Sequence, residues 1–294
     1  MSLFNKLLAL SALAGLLLPG PGAMLKDYVI FLLAASVLFS LLASRQEFRL
    51  SAKALKAGLI YNYGILTLAL LVFSLFLPPG IREGVVLYAI FPPAVGMITL
   101  SSQWGGKPED IFVFQLLSYV ASLVFVPLAA YFFMGPGIDV SILVSYIAIA
   151  FIVPGAISLL VKVENKKLMN ELSGIFLALV FYIVIAKSQG WIVENWQYVL
   201  GYSLAFGLLC HLLGLLALKI TKDPDPVLYT IWKNGGAAAA ASLAILPAAA
   251  TAIISAKLVM DVLIILAYST YWAGPKKGQP PQPAAAHFYT WNRK

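Results

Sequence analysis

The chain has 294 residues, of which 61% are hydrophobic and 11% charged, with a mean hydropathy of +0.91. A soluble domain carries roughly a quarter charged residues, so the composition excludes a water-soluble enzyme or binding module and predicts an integral membrane protein. The net charge of +8 calls for an explanation, which the loops below supply without nucleic acid. The single cysteine, Cys210, excludes an intrachain disulfide.

Apolar runs of membrane-spanning length recur at 5–20, 28–44, 55–78, 85–103, 110–134, 141–161, 170–187, 197–218, 227–246 and 249–272. The first, within MSLFNKLLALSALAGLLLPGPGA, also has the lysine, short apolar run and small residues of a signal peptide. The later segments pair better if it is kept as a span. Between the runs the loops are short, which predicts one membrane domain over residues 1–273. The stretch 274–294, GPKKGQPPQPAAAHFYTWNRK, reads as a disordered cytoplasmic tail, with Lys276 and Lys277 at the membrane surface.

Cytoplasmic loops carry the excess of Lys and Arg. With both termini inside, the inner loops and termini hold fifteen such residues, including Arg45, Arg49, Lys53 and Lys56 in one loop, and the outer loops hold only Lys26, Arg82 and Lys187. That asymmetry supports an even span number, a multi-pass location in the cell membrane, and a net charge that reflects topology.

Ten spans divide into halves of about 1–136 and 137–273, and an odd number of spans per half inverts the second half relative to the first. The expected fold class is therefore an all-α membrane protein of about ten transmembrane helices in two inverted five-helix repeats. The fourth run, YAIFPPAVGMITLSSQWGG, carries Pro92, Pro93 and Gly96; its counterpart, the ninth, TIWKNGGAAAAASLAIL, carries Lys233, Asn234, Gly235 and Gly236. Proline removes an amide donor, and paired glycines permit unwinding and close approach. Either interruption alone fits a kink or a small-residue packing face. Two at equivalent places, one beside a lysine, point to broken helices around a binding cavity.

The ordered set of motifs SRQEFRL, AKALKAGLIYNYGILTLAL, FPPAVGMITLSSQWGGKPEDI, AKSQGWIVENW, ITKDPDPVLYTIWKNGGAAAAASLAIL and STYW resembles the bile acid:sodium symporter family and its bacterial relatives, over nearly the full length. The resemblance implies a secondary transporter with a panel and a core, crossover helices at positions four and nine, alternating access, and an organic-anion substrate. It also implies where this chain departs. Sodium-coupled members carry a Ser-Asn pair at the first crossover, matched here by Met97 and Ile98. They carry Glu, Gly and Gln at the second, matched by Lys233, Gly235 and Ala237. A glutamine of the third helix matches Asn62, and a threonine of the fifth matches Gln115. Met, Ile and Ala side chains supply no hard oxygen ligand, so no metal or other cofactor is expected.

Candidate site residues are Lys233, Asn234, Gly235, Gly236, Asn62, Pro93, Gly96, Thr99 and Gln115 around the breaks, with Asp261 and His211 on the tenth and eighth runs. Asp261 stands four residues after Lys257, on one helical face, and is a candidate partner for either Lys257 or Lys233. His211 fits a proton relay or an interhelical hydrogen bond. The expected partners are a small organic-anion substrate and membrane lipid, with a proton as a candidate coupling ion and no nucleic acid. The alternatives are a proton-linked exporter resembling the auxin efflux carriers, and a transport-dead sensor of the same fold. A channel is disfavoured because no filter loop is present. An enzyme is not expected, because there is no HExxH, no G-x-S-x-G and no pair of acidic residues within the spans.

Overall fold

A computed structural model describes residues 3–44 and 51–273. Arg45, Arg49 and the expected tail 274–294 lie outside the described residues. The described elements are helices: α1 Leu3–Leu17, α2 Pro19–Met24, α3 Lys26–Ser44, α4 Ala52–Ser74, α5 Ile81–Ile90, α6 Met97–Trp104, α7 Pro108–Met134, α8 Val140–Leu160, α9 Lys166–Glu194, α10 Trp196–Thr221, α11 Pro224–Ile231, α12 Gly235–Ile245 and α13 Ala248–Ala273. Seven of them, α3, α4, α7, α8, α9, α10 and α13, are long and apolar enough to cross a membrane. The protein is thus all-α and membrane-embedded. The first apolar run falls on the 15-residue α1. The fourth and ninth fall on the pairs α5/α6 and α11/α12.

Helix starts follow local chemistry. Asp139 caps α8 by accepting from the Ser141 and Ile142 amides at 2.9 and 3.2 Å. Donation from the Ser141 hydroxyl and the Ile142 amide holds its carboxyl below the ordinary value. Asn165 accepts from Leu168 N at 3.0 Å to open α9, and Asp223 accepts from Asp225 N at 3.1 Å to open α11. Within α4, residues Leu59–Thr67 widen to a π-helix, which frees backbone carbonyls and is a frequent feature of functional sites.

The helices pack in two layers. In one, α9 lies against α1 and α3, and α8 against α3. In the other, α10 packs on α11 and α13, α13 on α5 and α12, and α4 on α11 and α7. The layers meet where α9 contacts α13 and α12. Outward faces remain apolar: Leu200, Leu204, Leu208, Leu212 and Leu216 recur every four residues along α10 and are exposed, a stripe suited to lipid.

The α5–α13 contact depends on the absence of a side chain at Gly84. A Cβ there would lie 2.5 Å from Ala250 O and 2.9 Å from Ala250 Cα, and backbone cannot move aside as a side-chain tip can. Gly84→Ala should therefore lose about 1–3 kcal/mol through overpacking, measured as a lowered thermal midpoint in detergent. Gly190→Ala, where nothing lies within 4 Å, should not show that loss. Equal midpoints for the two variants would contradict this packing.

Candidate functional site at the helix breaks

Between α5 and α6 the chain runs non-helically from Phe91 through Gly96, and between α11 and α12 from Trp232 through Asn234. The two breaks lie against each other, with Pro93 and Lys233 forming an antiparallel bridge and Asn234 N donating to Pro92 O at 2.9 Å. A break inside an apolar medium leaves backbone groups that cost free energy unless paired. Side chains from elsewhere pair several of them. Asn62 Nδ2 donates to Tyr229 O at 2.9 Å and Trp232 O at 3.4 Å, at the end of α11. The Thr67 hydroxyl is shared between Ala89 O, at the end of α5, and Asn62 O in the π-helical turn, both at 3.0 Å. Gln115 Nε2 donates to Ala94 O, and Ser40 Oγ to Val95 O at 3.4 Å. Asn234 Oδ1 accepts from Ala237 N at 3.0 Å and caps α12.

Asn62, Gln115, Lys233 and Asn234 are all buried, and each retains a polar atom without a hydrogen-bond partner: Asn62 Oδ1, Gln115 Oε1, Lys233 Nζ and Asn234 Nδ2. Lys233 Nζ lies 4.2 Å from the centroid of the Tyr63 ring, whose edges meet Phe114 and Phe125. Met97, Ile98 and Ala237 are buried and apolar. Gly96 and Gly235 permit the close approach here, because a Cβ on either would meet Trp232 Cη2 at 2.6 Å or Leu258 Cδ2 at 2.5 Å.

A void follows the breaks on the α9 side, walled by Ala94, Val95, Gly96, Leu177, Phe181 and Trp232 together with Lys233, Asn234, Gly235 and Gly236. The space open to a water's centre is about 10 Å³, close to the minimum for one water. Where the sequence led to the expectation of a binding cavity, the space is about that of a single water. Polar contacts join the layers on either side of it. Thr99 Oγ1 donates to Asn170 Oδ1 at 2.8 Å toward the Lys166 end of α9, and Ser188 and Ser255 hydroxyls meet at 2.9 Å toward the Glu194 end. Leu177 and Phe181 lie between these two contacts along α9.

Three expected members stand elsewhere. Thr99 belongs to the interlayer contact just described. Asp261 does not reach the Lys233 amine: it pairs with Lys257 Nζ, while Tyr88 OH donates to Asp261 Oδ2 at 3.3 Å. Tyr88 OH in turn accepts from Lys233 N at 3.3 Å and Lys257 Nζ at 3.5 Å, so a phenol uses its full hydrogen-bonding capacity to tie this ion pair to the second break. Both members of the pair are buried. His211 is half-buried and packs edge-on against Tyr268. Sequence reasoning missed Tyr88 and Thr67, which carry no local signal. It also missed Asp225, a buried carboxylate that accepts from the Ser101 hydroxyl at 2.6 Å and Lys107 N at 2.9 Å. The Asp-Pro-Asp-Pro run marks a helix start but not that distant contact.

No protein-family model and no curated protein matches the chain.

The Lys257–Asp261 pair yields a stability prediction. Removing one member of a buried pair strands the other, at about 3–5 kcal/mol, whereas replacing both with apolar residues is often close to neutral. Lys257→Met and Asp261→Leu should each lower the thermal midpoint sharply, and the double variant should recover much of the loss. A double variant as unstable as the sum of the singles would refute the pairing.

Proposed function

We propose that the chain is a secondary transporter that moves a small organic anion or carboxylate by alternating access, without the usual two-sodium coupling. The observation that carries this reading is the back-to-back contact of two interrupted helices around a void. The starts of both second halves, Gly96 before α6 and Asn234 to Gly236 at α12, wall that void. A helix start presents free amides and the positive end of its dipole to an anion. Asn234 adds an unpaired buried amide donor. On this reading α1, α3, α4, α5/α6 and α7 form one five-span repeat, and α8, α9, α10, α11/α12 and α13 form its inverted copy within one domain spanning 1–273. Both termini are cytoplasmic.

The motif resemblance to the bile acid:sodium symporter family supports the same reading. The apolar residues Met97, Ile98 and Ala237 stand where sodium-coupled members have ligands, which argues against that ion. The two interlayer contacts act as gates. Thr99–Asn170 closes the end that the charge bias places inside, and Ser188–Ser255 closes the other. Neutral hydrogen bonds contribute about 0.5–1.5 kcal/mol each, so opening costs that much plus the packing of α9 against α12 and α13. The void between them accepts an anion only after one has opened.

The test is thermal stability of the purified protein with gluconate, malate and mandelate, in sodium and in potassium. A ligand at a hundredfold excess over Kd stabilises by about 2.7 kcal/mol. At least one carboxylate should raise the midpoint equally in both salts, and Asn234→Ala should weaken the effect. Stabilisation that requires sodium would overturn the sodium-independent reading, and no response to any carboxylate would overturn the anion site. Stabilisation with no flux in proteoliposomes would instead favour a transport-dead sensor.

A further inference from the structure

We propose that the Lys233 amine carries the coupling proton, so that one proton and one anion cross together. This rests on the transport reading above and names its coupling ion. An ammonium has three N–H donors, and Lys233 Nζ has no hydrogen-bond partner among the described residues and no solvent exposure. Its one neighbour of note is the Tyr63 ring face at 4.2 Å, which offers a cation a single weak contact.

The surrounding elements leave any charge on Lys233 unbalanced. From α4 it faces Tyr63; Tyr63 meets Phe114 of α7, which in turn meets Tyr229 of α11, and Gln115 of α7 donates to Ala94 O of the first break. From α5, Tyr88 meets its backbone N rather than its amine. Behind Tyr88, α13 contributes Lys257 and Asp261, already paired with each other, and α10 contributes the buried Cys210. On the α9 side stand Leu177 and Phe181. Among the described residues, Lys233 makes no ion pair. An unpaired buried charge is costly, and nothing described around this amine offsets it.

Lys233 is also part of the wall of the void; its amine rests over the Tyr63 ring of α4, so the coupling requires it to turn toward an anion admitted on the α9 side. A carboxylate admitted there supplies the missing countercharge, and by linkage the proton strengthens anion binding as much as the anion strengthens proton binding. On the entry side a proton from water adds to the amine lone pair as the anion arrives. On the exit side the anion leaves, the ammonium returns its proton to water, and the amine is restored. The net transfer is one carboxylate and one proton, with no net charge. Lys257 cannot take this role, because Asp261 already balances it.

The experiment uses the full chain in proteoliposomes with an internal pH dye and whichever of labelled gluconate, malate or mandelate it exchanges. A gradient of one pH unit, acid outside, should drive about tenfold accumulation, with internal acidification matching anion uptake and, for the monoanions gluconate and mandelate, no response to membrane potential. In Lys233→Arg, whose guanidinium does not release its proton, and in Lys233→Gln, the ratio of uptake with and without the gradient should fall to one. In parallel, calorimetry in two buffers of different ionisation heat should give one proton taken up per anion bound by the wild type. It should give none for Lys233→Arg, a readout that does not depend on transport rate. Net anion uptake by the wild type without internal acidification, or a gradient response intact in both variants, would overturn the coupling assignment alone. If none of the three anions exchanges or binds, the transport reading falls and the coupling assignment with it.

Discussion

A backbone amide or carbonyl freed in an apolar medium has to find its partner inside the protein, and the two broken helices find theirs mainly in each other and in a few inserted side chains. The Pro93–Lys233 bridge and the Asn234–Pro92 hydrogen bond join the breaks, while Asn62, Thr67 and Gln115 reach in from α4 and α7 to take up donors and acceptors that no helix satisfies. This constraint explains why polar residues are concentrated here in a chain so poor in them. It also explains why α4 widens to a π-helix at Asn62: the freed Asn62 carbonyl and the Ala89 carbonyl share one hydroxyl, that of Thr67.

Two buried lysines stand in opposite environments on either side of Tyr88. Lys257 is matched by Asp261 and the phenol, and contributes to the scaffold. Among the described residues the Lys233 amine is matched only by an aromatic face, although its backbone is held by the same phenol. Environments that separate two like groups in this way are a common means of assigning them different tasks. Through Tyr88 the Lys257–Asp261 pair is tied to the second break, and the Lys233 amine is the one on which the proposed coupling rests.

Much of the architecture was legible in the sequence because the breaking residues act locally. Pro92, Pro93 and Gly96 lie within the first interruption, whereas the second falls at Trp232 through Asn234, just before Gly235 and Gly236, which open α12. Lys233 and Asn234 were legible as misfits in an apolar run. The partners were not, because they arrive from far along the chain: Tyr88 meets Asp261 across 173 positions, and Ser101 meets Asp225 across 124. The choice of Lys257 over Lys233 by Asp261 was left open by spacing alone and decided by packing. The size of the void was also unreadable, since it is set by how closely Leu177 and Phe181 of α9 approach the breaks. The π-helix at Leu59–Thr67 carries no proline or glycine pair to announce it.

The central claim is that the closed void opens alternately to the two sides of the membrane. Phe181 walls it from α9 and is buried, and Cys210 is the one native cysteine. The direct measurement is labelling of Phe181→Cys, in a Cys210→Ser background, by a membrane-impermeant thiol reagent applied to one side at a time in oriented vesicles. The account predicts labelling from each side in turn, slowed by a bound carboxylate. Labelling from neither side, or from one side only under every condition, would contradict it.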